Sequence, residues 1–458
     1  MRQKVAIIGT GITGLTCAYV LHLFDPQLQI LFIDAGPEPE FISKKTYLKG
    51  HFGATLGHSR DARQFTGTEG LSFQNPIHTT LLFKKSSIHS DGWCTLNESN
   101  LTAREKKWRQ ELIDRYKEHF TVIENPYNEM YTALNYGGME AWSFLSSIDK
   151  NLNKFRIRSD HVYVAFERKE ELHTDFESES AFNPRNSNPK HRVSFANIDI
   201  LTTKSKNARI YNVYQTLLRI PGSAWRMQSL WKYFYHLLKK NQNISFKWNT
   251  PISSVKKLPN ASTYIWTSGS GHTTPDIYTE HVRVQGIGGV WLTIPNPGFK
   301  VAFKISAPQP NGYINLPPDG EFLHISGGFG WVGERKFKES QKLLKTVKAH
   351  VIERLSVYLH IPKKKLEGCV SGYCLRPTTP TGMPDIKTLT YGGREHIMIS
   401  GAGKAGSTES SLLALYIARS LNIAIEKKLQ TYKKQSKDSY KVIEHGLQLL
   451  SRGLEPNL

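Results

Sequence analysis

The sequence predicts a mixed α/β fold, α+β overall, in which a unit with glycine-rich strand-to-helix turns is joined to a unit built on an antiparallel sheet. Three observations predict it. A strand, a glycine turn and a helix open the chain; the same arrangement recurs near its end; and residues 282–325 alternate apolar and polar side chains between Pro and Gly punctuation.

The 458 residues can bury a large core and suit two or three structural units. A formal net charge of +21 admits an anionic substrate, nucleic acid or a membrane surface. The lysines are scattered, though, in pairs such as Lys84–Lys85, Lys239–Lys240 and Lys256–Lys257 and the run 363–365, which describes a basic solvated surface. Four cysteines, Cys17, Cys94, Cys369 and Cys374, are too few to staple the chain and wrongly spaced for zinc, so a reducing compartment is expected and no metal. Val5 to Phe24 is twenty residues without Asp, Glu, Lys or Arg, long enough for a membrane span, but its three glycines fit a strand turning into a helix. No transmembrane segment is expected, and the cytoplasm follows by default.

"KVAIIGTGITGLTCAYVLHLF" reads as a buried strand, Val5–Ile8, then Gly9, Gly11 and Gly14 at G-x-G-x-x-G spacing, then a helix beginning with Ile12 and Thr13. The first glycine permits the turn, the second lets backbone approach a pyrophosphate, and the third lets helix and strand pack closely. Amides at the helix N-terminus support phosphate charge. A second strand, "LQILFIDAG", ends at Asp34 and Ala35, with the carboxylate placed for a ribose hydroxyl pair, which favours FAD or NAD over NADP.

The middle gives organisation more than chemistry. "AREKKWRQELIDRYKEHF" places Trp108, Leu112, Ile113 and Tyr116 on one stripe of a surface helix. Residues 172–210 are polar and read as an excursion or long connection, either an ordinary loop or a substrate lid. A helix follows with Trp231, Phe234, Tyr235 and Leu238 inward, then a strand from Ile244. "GVWLTI", "FKVAFKI", "GYINL" and "FLHISGGFG" supply the antiparallel sheet, and a long helix with Phe337, Leu344, Val347, Val351 and Leu355 at helical spacing comes after it.

"HIMISGAGKAGSTESSLLALYIARSL" repeats the opening theme: a strand 396–400, a turn through Gly401, Gly403, Lys404, Ala405 and Gly406, and a helix starting at Ser407 or Thr408. Two such turns suit one long cofactor, with the first helix end at its pyrophosphate and the second at a polar carbonyl that collects negative charge on reduction. A flavin has this anatomy. Between the units lies "CLRPTTPTGMPDI", residues 374–386, whose prolines hold Arg376 on extended backbone.

These three blocks in this order resemble the D-amino-acid oxidase, glycine oxidase and sarcosine oxidase superfamily of FAD-dependent amine oxidoreductases, in which an L-R-P-x-T-P-x-G-x-P stretch precedes a closing strand, glycine turn and helix. The resemblance covers about a quarter of the chain clearly. It implies a Rossmann-like FAD-binding domain assembled from residues 1–82, 216–282 and 366–425, a substrate domain from 83–215 and 283–365, and a basic C-terminal helical tail from 426 to 458. It implies that Arg376 holds a substrate carboxylate by a bidentate pair, against a structural ion pair as the plainer role, and that Tyr313, His324 or Ser326 faces the flavin, Tyr313 being the candidate chosen. Cys374 stands where sarcosine oxidases bond their flavin, but the residues after it differ, which favours an inert thiol. Residues 53–73 carry Arg60, Arg63 and Glu69 where the family has small polar residues, so a substrate with an extra acidic group is one expectation.

The implied reaction is oxidation of a C–N bond of an amino acid or secondary amine to an imine by hydride transfer to FAD. Two alternatives stay open: a flavin-dependent enzyme acting on an amine carried by tRNA, for which the basic charge would suit a phosphate backbone, and a non-catalytic flavoprotein using "EKKLQTYKKQSKDSYK" on a membrane or partner.

Overall fold

The computed structural model describes residues 4–36, 38, 68–70, 102–116, 126–157, 161–183, 192–202, 208–252, 254–267, 269, 284–306, 313–319, 321–333, 337–379, 383–402 and 406–453. The fold opens with β1 (Lys4–Ile8), α1 (Ile12–Phe24), β2 (Gln29–Ile33), β3 (Thr68–Gly70), α2 (Ala103–Tyr116) and α3 (Pro126–Ile148). It continues through β4 (Arg156–Ile157), β5 (His161–Phe166), α4 (Lys169–Phe182), β6 (Ser194–Asn197), β7 (Thr216–Trp225), α5 (Met227–Lys239), β8 (Ile244–Lys247) and β9 (Thr263–Trp266). Next are β10 (Gln285–Pro295), β11 (Phe303–Ser306), β12 (Tyr313–Leu316), β13 (Pro318–Asp319), β14 (Phe322–Gly333), α6 (Phe337–Leu359) and α7 (Lys363–Glu367). The chain closes with β15 (Val370–Thr378), β16 (Asp385–Tyr391), β17 (Arg394–Ser400), α8 (Gly406–Ser420), α9 (Glu426–Gln435) and α10 (Lys437–Ser451).

Two sheets organise these elements. The first has the order β16-β17-β9-β1-β2-β8, parallel throughout except for β16. Its strands are nearly continuous apolar runs because both faces are covered. Ile7, Phe32, Ile265 and Ile399 pack with Leu15, Phe234 and Leu413 from α1, α5 and α8, while Ile8, Leu31, Tyr264 and Met398 form a smaller core on the other face. Since β1 and β17 run parallel with only β9 between them, α1 and α8 start from the same sheet edge, about 10 Å apart at two strand spacings.

The second sheet has the order β15-β10-β14-β12-β11-β5-β7-β3, with β4 and β6 on β7 and β13 on β14. Most of it is antiparallel, as the alternating pattern predicts, although β11 and β5 pair in parallel. Along α6, Val347, Val351 and Leu355 pack on Val290, Leu292, Ile314 and Ile325 of one face. Over β5 and β7, the opposite face is covered by a core of Val162, Val164, Leu218 and Ile220 with Tyr136 of α3 and Leu172 of α4.

One sequence expectation changes here, and a second gains detail. Residues 172–182, read as part of a polar excursion, belong to a helix that lies on the sheet, and β6 follows at Ser194–Asn197. The helix buries Asp175 and Glu179 beside Leu172, so its inward face carries acids that an apolar pattern does not register. The basic C-terminal stretch also has a packed face: Leu429, Tyr432, Ile443 and Leu447 join the core that contains Trp142 and Phe144 of α3. Arg419 of α8 ties these helices together by donating to Glu426 and Glu444, each at 2.7 Å.

Candidate functional site

The first turn is held rigidly by its own residues. Gly9 has φ of 102°, a left-handed conformation that favours glycine, and its N–H donates to the Ile33 carbonyl at 2.9 Å. Gly11 caps α1 in an extended conformation. A Cβ on Gly14 would lie 2.2 Å from the Gly9 carbonyl oxygen and 2.6 Å from Thr267 Oγ1, so only glycine lets the helix approach this closely. No acidic residue occupies the first turn of α1, so side chains of that turn do not offset the partial positive charge of its amides.

Asp34, at the end of β2, is turned onto this loop. One carboxylate oxygen accepts from Thr10 N–H at 2.9 Å and Thr10 Oγ1 at 2.6 Å, and the other accepts from Gly36 N–H at 2.7 Å. Half-buried Ala35 lies between these contacts. Trp231 of α5 donates its indole N–H to the Thr10 carbonyl at 2.8 Å. Thr10 and Thr267 escaped the sequence reading, and Trp231 entered it only as an inward-facing residue, because their contribution to this turn comes from contacts across the chain.

At the second turn, β17 ends at Ser400 and is followed by Gly401, whose φ is 77°. Gly403, Lys404 and Ala405 lie outside the described residues, and α8 starts at Gly406, just ahead of the expected Ser407 or Thr408. Trp142 donates its indole N–H to the Ser407 carbonyl at 2.9 Å, and Ser411 donates to the Gly138 carbonyl at 2.8 Å. The Thr408 carbonyl lies so close to Gly138 that a Cβ there would meet it at 2.3 Å. These contacts with α3 fix the end of α8. Glu409 in its first turn is buried with Oε1 lacking a hydrogen-bond partner, and burial pushes its carboxyl up to about 8.

Arg376 reaches the same region from β15. Its strand continues into a bridge between Thr378 and Ala402, joining it directly to the second turn. Arg376 pairs with Ile287 of β10, which packs in the core of the first unit, whereas Gly288 next along β10 lies against Leu344 of α6. Strand alternation therefore places Arg376 on the face turned away from α6, the face from which Ile287 joins the core of the first unit. The guanidinium lies flat over Gly289 of β10 and donates from Nη1 to the Gly328 carbonyl at 2.8 Å. That carbonyl sits at a bulge between β10 and β14, where Gly328 has φ of 76°.

The remaining candidates distribute along this sheet. Ser326 pairs with Trp291 and accepts a hydrogen bond from Asn315 Nδ2 at 3.3 Å; His324 pairs with Thr293, its Nδ1 3.3 Å from Thr293 Oγ1. Tyr313 pairs through its backbone with Ser306, and Cys374 pairs with Gly289, but their side chains fall outside what is described. The same holds for the side chain of Glu69, while Arg60 and Arg63 lie wholly outside the described residues. Among the described residues, no cluster of His, Cys, Asp and Glu could hold a metal ion, and no helix is long and apolar enough to cross a membrane.

The family model described as DAO, FAD dependent oxidoreductase, matches residues 4–420. The chain belongs to this FAD-dependent oxidoreductase family. Among solved structures, glycine oxidase from Geobacillus kaustophilus superposes with a TM-score of 0.55 at 12% identity, covering 91% of this chain and 94% of that one. Glycine oxidase from Bacillus cereus gives 0.53 at 11% identity over 93% and 98%. L-α-glycerophosphate oxidase from Mycoplasma pneumoniae, determined with FAD bound, gives 0.53 at 11% identity over 92% and 95%. Among curated proteins none matches the chain.

The residues of this FAD-dependent oxidoreductase fit its cofactor. Two helix N-termini face one sheet edge, and the glycine turn is braced by Thr10 and Asp34. The donors at these helix ends are backbone amides, the chemistry that a pyrophosphate and a polar ring edge require.

Proposed function

We propose that this FAD-dependent oxidoreductase removes two electrons from a carbon bearing an amine, in an amino acid or secondary amine, and that Arg376 receives the substrate's carboxylate. The observation that carries this reading is the position of Arg376. Its guanidinium lies on the sheet face turned away from α6, on a strand bridged to the second turn by Thr378 and Ala402. When bound, FAD supplies the hydride acceptor for such chemistry.

The chain's own residues contribute binding and orientation. Gly9, Gly11, Ile12, Thr13 and Gly14 present amides of the first helix end to the pyrophosphate. Asp34 and Ala35 close the ribose side, and Asp34 also locks the turn through Thr10. The second turn, Gly401 to Gly406 with Lys404 and Ala405, leads into Ser407 and Thr408, where the positive end of α8 favours an anionic ring edge. Arg376 presents a planar fork that fixes a carboxylate in orientation as well as position, so that the carbon beside it is held for reaction. Tyr313 enters β12 on the same sheet and is the second residue assigned to the substrate.

An arginine fork also binds phosphate, and a glycerophosphate oxidase shares this fold, so the substrate panel must separate the two. Purified protein is mixed anaerobically with D-amino acids, glycine, N-methyl amino acids, opines and glycerol phosphate, and bleaching of the flavin absorbance is followed. Bleaching by a carboxylate-bearing amine, with Arg376→Ala raising its apparent KM by about 100-fold, supports the proposal; two lost charge-assisted hydrogen bonds account for that magnitude. Bleaching by glycerol phosphate alone, or an unchanged KM in Arg376→Ala, removes it.

A further inference from the structure

We infer that Gly289 is a positioning residue that sets the plane of the Arg376 guanidinium, and through it the selectivity of the site for ligands ending in a carboxylate. This rests on the assignment of Arg376 to the substrate carboxylate. Glycine inside a strand weakens it relative to alanine, so its presence there calls for a reason. Positive φ does not give one, because Gly289 is not among the positive-φ glycines; the β10–β14 register slips at Gly289, while its pairing with Cys374 of β15 is regular. Space does. A Cβ built on Gly289 would lie 2.5 Å from Arg376 Nη2 and 2.7 Å from both Cζ and Nη1, so the three atoms that meet it all belong to the guanidinium.

The guanidinium is thus fixed from two directions. Gly289 forms the flat bed beneath it, and the Gly328 carbonyl at the β14 bulge accepts from Nη1 at 2.8 Å. Bed and tether both act on the plane in which the fork meets a ligand. A methyl group at position 289 lifts or tilts that plane by on the order of 1 Å, and a bidentate pair between two planar groups tolerates such a shift poorly. Neighbouring β10 glycines have other tasks. Gly288 makes room for Leu344 on the opposite face, and the same device recurs one row on, where Trp291 lies over Gly372 with ring atoms 2.6–2.8 Å from its Cβ position.

The test uses Gly289→Ala, Arg376→Ala and the double variant in the FAD-loaded protein, with the best carboxylate-bearing amine from the panel and the amine of the same skeleton lacking the carboxylate. For Gly289→Ala, apparent KM for the carboxylate-bearing amine rises about 10-fold with kcat within about 2-fold, and the carboxylate-free amine is handled as by the wild type. Acetate, titrated against the flavin absorbance, loses affinity in parallel. The double variant matches Arg376→Ala, since the bed has no purpose without the guanidinium. If Gly289→Ala fails to fold or to retain FAD, the double variant regains both, because removing the guanidinium vacates the space. An equal effect on both amines, additivity of the two substitutions, or no recovery in the double variant overturns the inference. An unchanged KM in Arg376→Ala overturns the carboxylate assignment instead, so the two failures are distinct.

Discussion

Thr378 and Ala402 are joined by an antiparallel bridge, so the strand that carries Arg376 ends against the turn that begins α8. The strand that carries Arg376 and the turn that begins α8 are thereby joined through backbone. Thr379 completes the joint by donating its hydroxyl to the Met383 carbonyl at 2.6 Å.

Gly401 is the weak point of this joint. It has φ of 77°, and a Cβ there would lie 2.3 Å from Thr379 Cγ2 and 3.2 Å from the Met383 carbonyl oxygen. Gly401→Ala combines left-handed strain with a clash, for a loss of about 2–4 kcal/mol. Chemical denaturation is expected to show that loss, and gel filtration a reduced ratio of flavin to protein absorbance. Full FAD retention with unchanged stability would contradict the role given to the second turn.

At the other end of the nucleotide site, Gly14→Ala places a methyl 2.2 Å from the Gly9 carbonyl oxygen. Neither partner is the end of a flexible chain, so α1 must move off β1 and carry its N-terminal amides with it. FAD affinity is expected to fall at least 10-fold, read by fluorescence of released flavin. Thr267→Ser retains the hydroxyl that donates to the Ile8 and Gly9 carbonyls and is expected to leave FAD affinity unchanged.

Glu409 gives the stability of the protein a distinctive pH dependence. Burial raises its folded-state value from 4.5 to about 8, so the folded chain holds a proton that the unfolded chain releases. Its stabilising contribution is complete below about 4.5, declines as pH rises toward about 8, and levels off above that, with a slope of up to about 1.4 kcal/mol per pH unit. Glu409→Gln keeps the shape without the proton equilibrium. The stability difference between variant and wild type, measured by denaturation from pH 5 to 9, is expected to grow in favour of the variant; parallel curves would show that the carboxyl does not titrate as described.

Lys304 of β11 is fully buried, and desolvation pushes its amine down to about 7 while Glu179 and Asp175 of α4 pull it back up. Removing one charged partner from such a group leaves the others uncompensated. Lys304→Met is expected to cost about 3–5 kcal/mol, with part of the loss recovered when Glu179→Gln is added. Denaturation of the single and double variants checks this, and equal losses in both would show that Lys304 and Glu179 are not coupled.

The local chemistry of the two glycine turns was legible in the sequence because a turn's backbone demands are met by residues a few positions apart. Gly9, Gly11, Gly14 and Asp34 could be named from spacing, and Gly401 from its place after a strand. The apolar runs of β1, β2 and β17, and the alternation of β10 to β14, likewise follow from which faces are buried. Helix α4 was not legible, since Asp175 and Glu179 lie on its inward face and mimic a solvated segment. Nor were Thr10, Trp231, Gly289 and Gly328, whose meaning lies in contacts with partners 24, 221, 87 and 48 positions away along the chain, counting Asp34, Thr10, Arg376 and Arg376 in turn. By itself the sequence determined that the chain builds a flavin-type nucleotide unit with a sheet-based partner. Tertiary structure alone decided that β9 stands between β1 and β17, which brings both helix ends to one edge, and that Arg376 rests on Gly289 with its tether at Gly328. The physical reason is that propensity and spacing act within a turn or a strand, whereas pairing order and close approach are settled by packing among segments far apart in sequence.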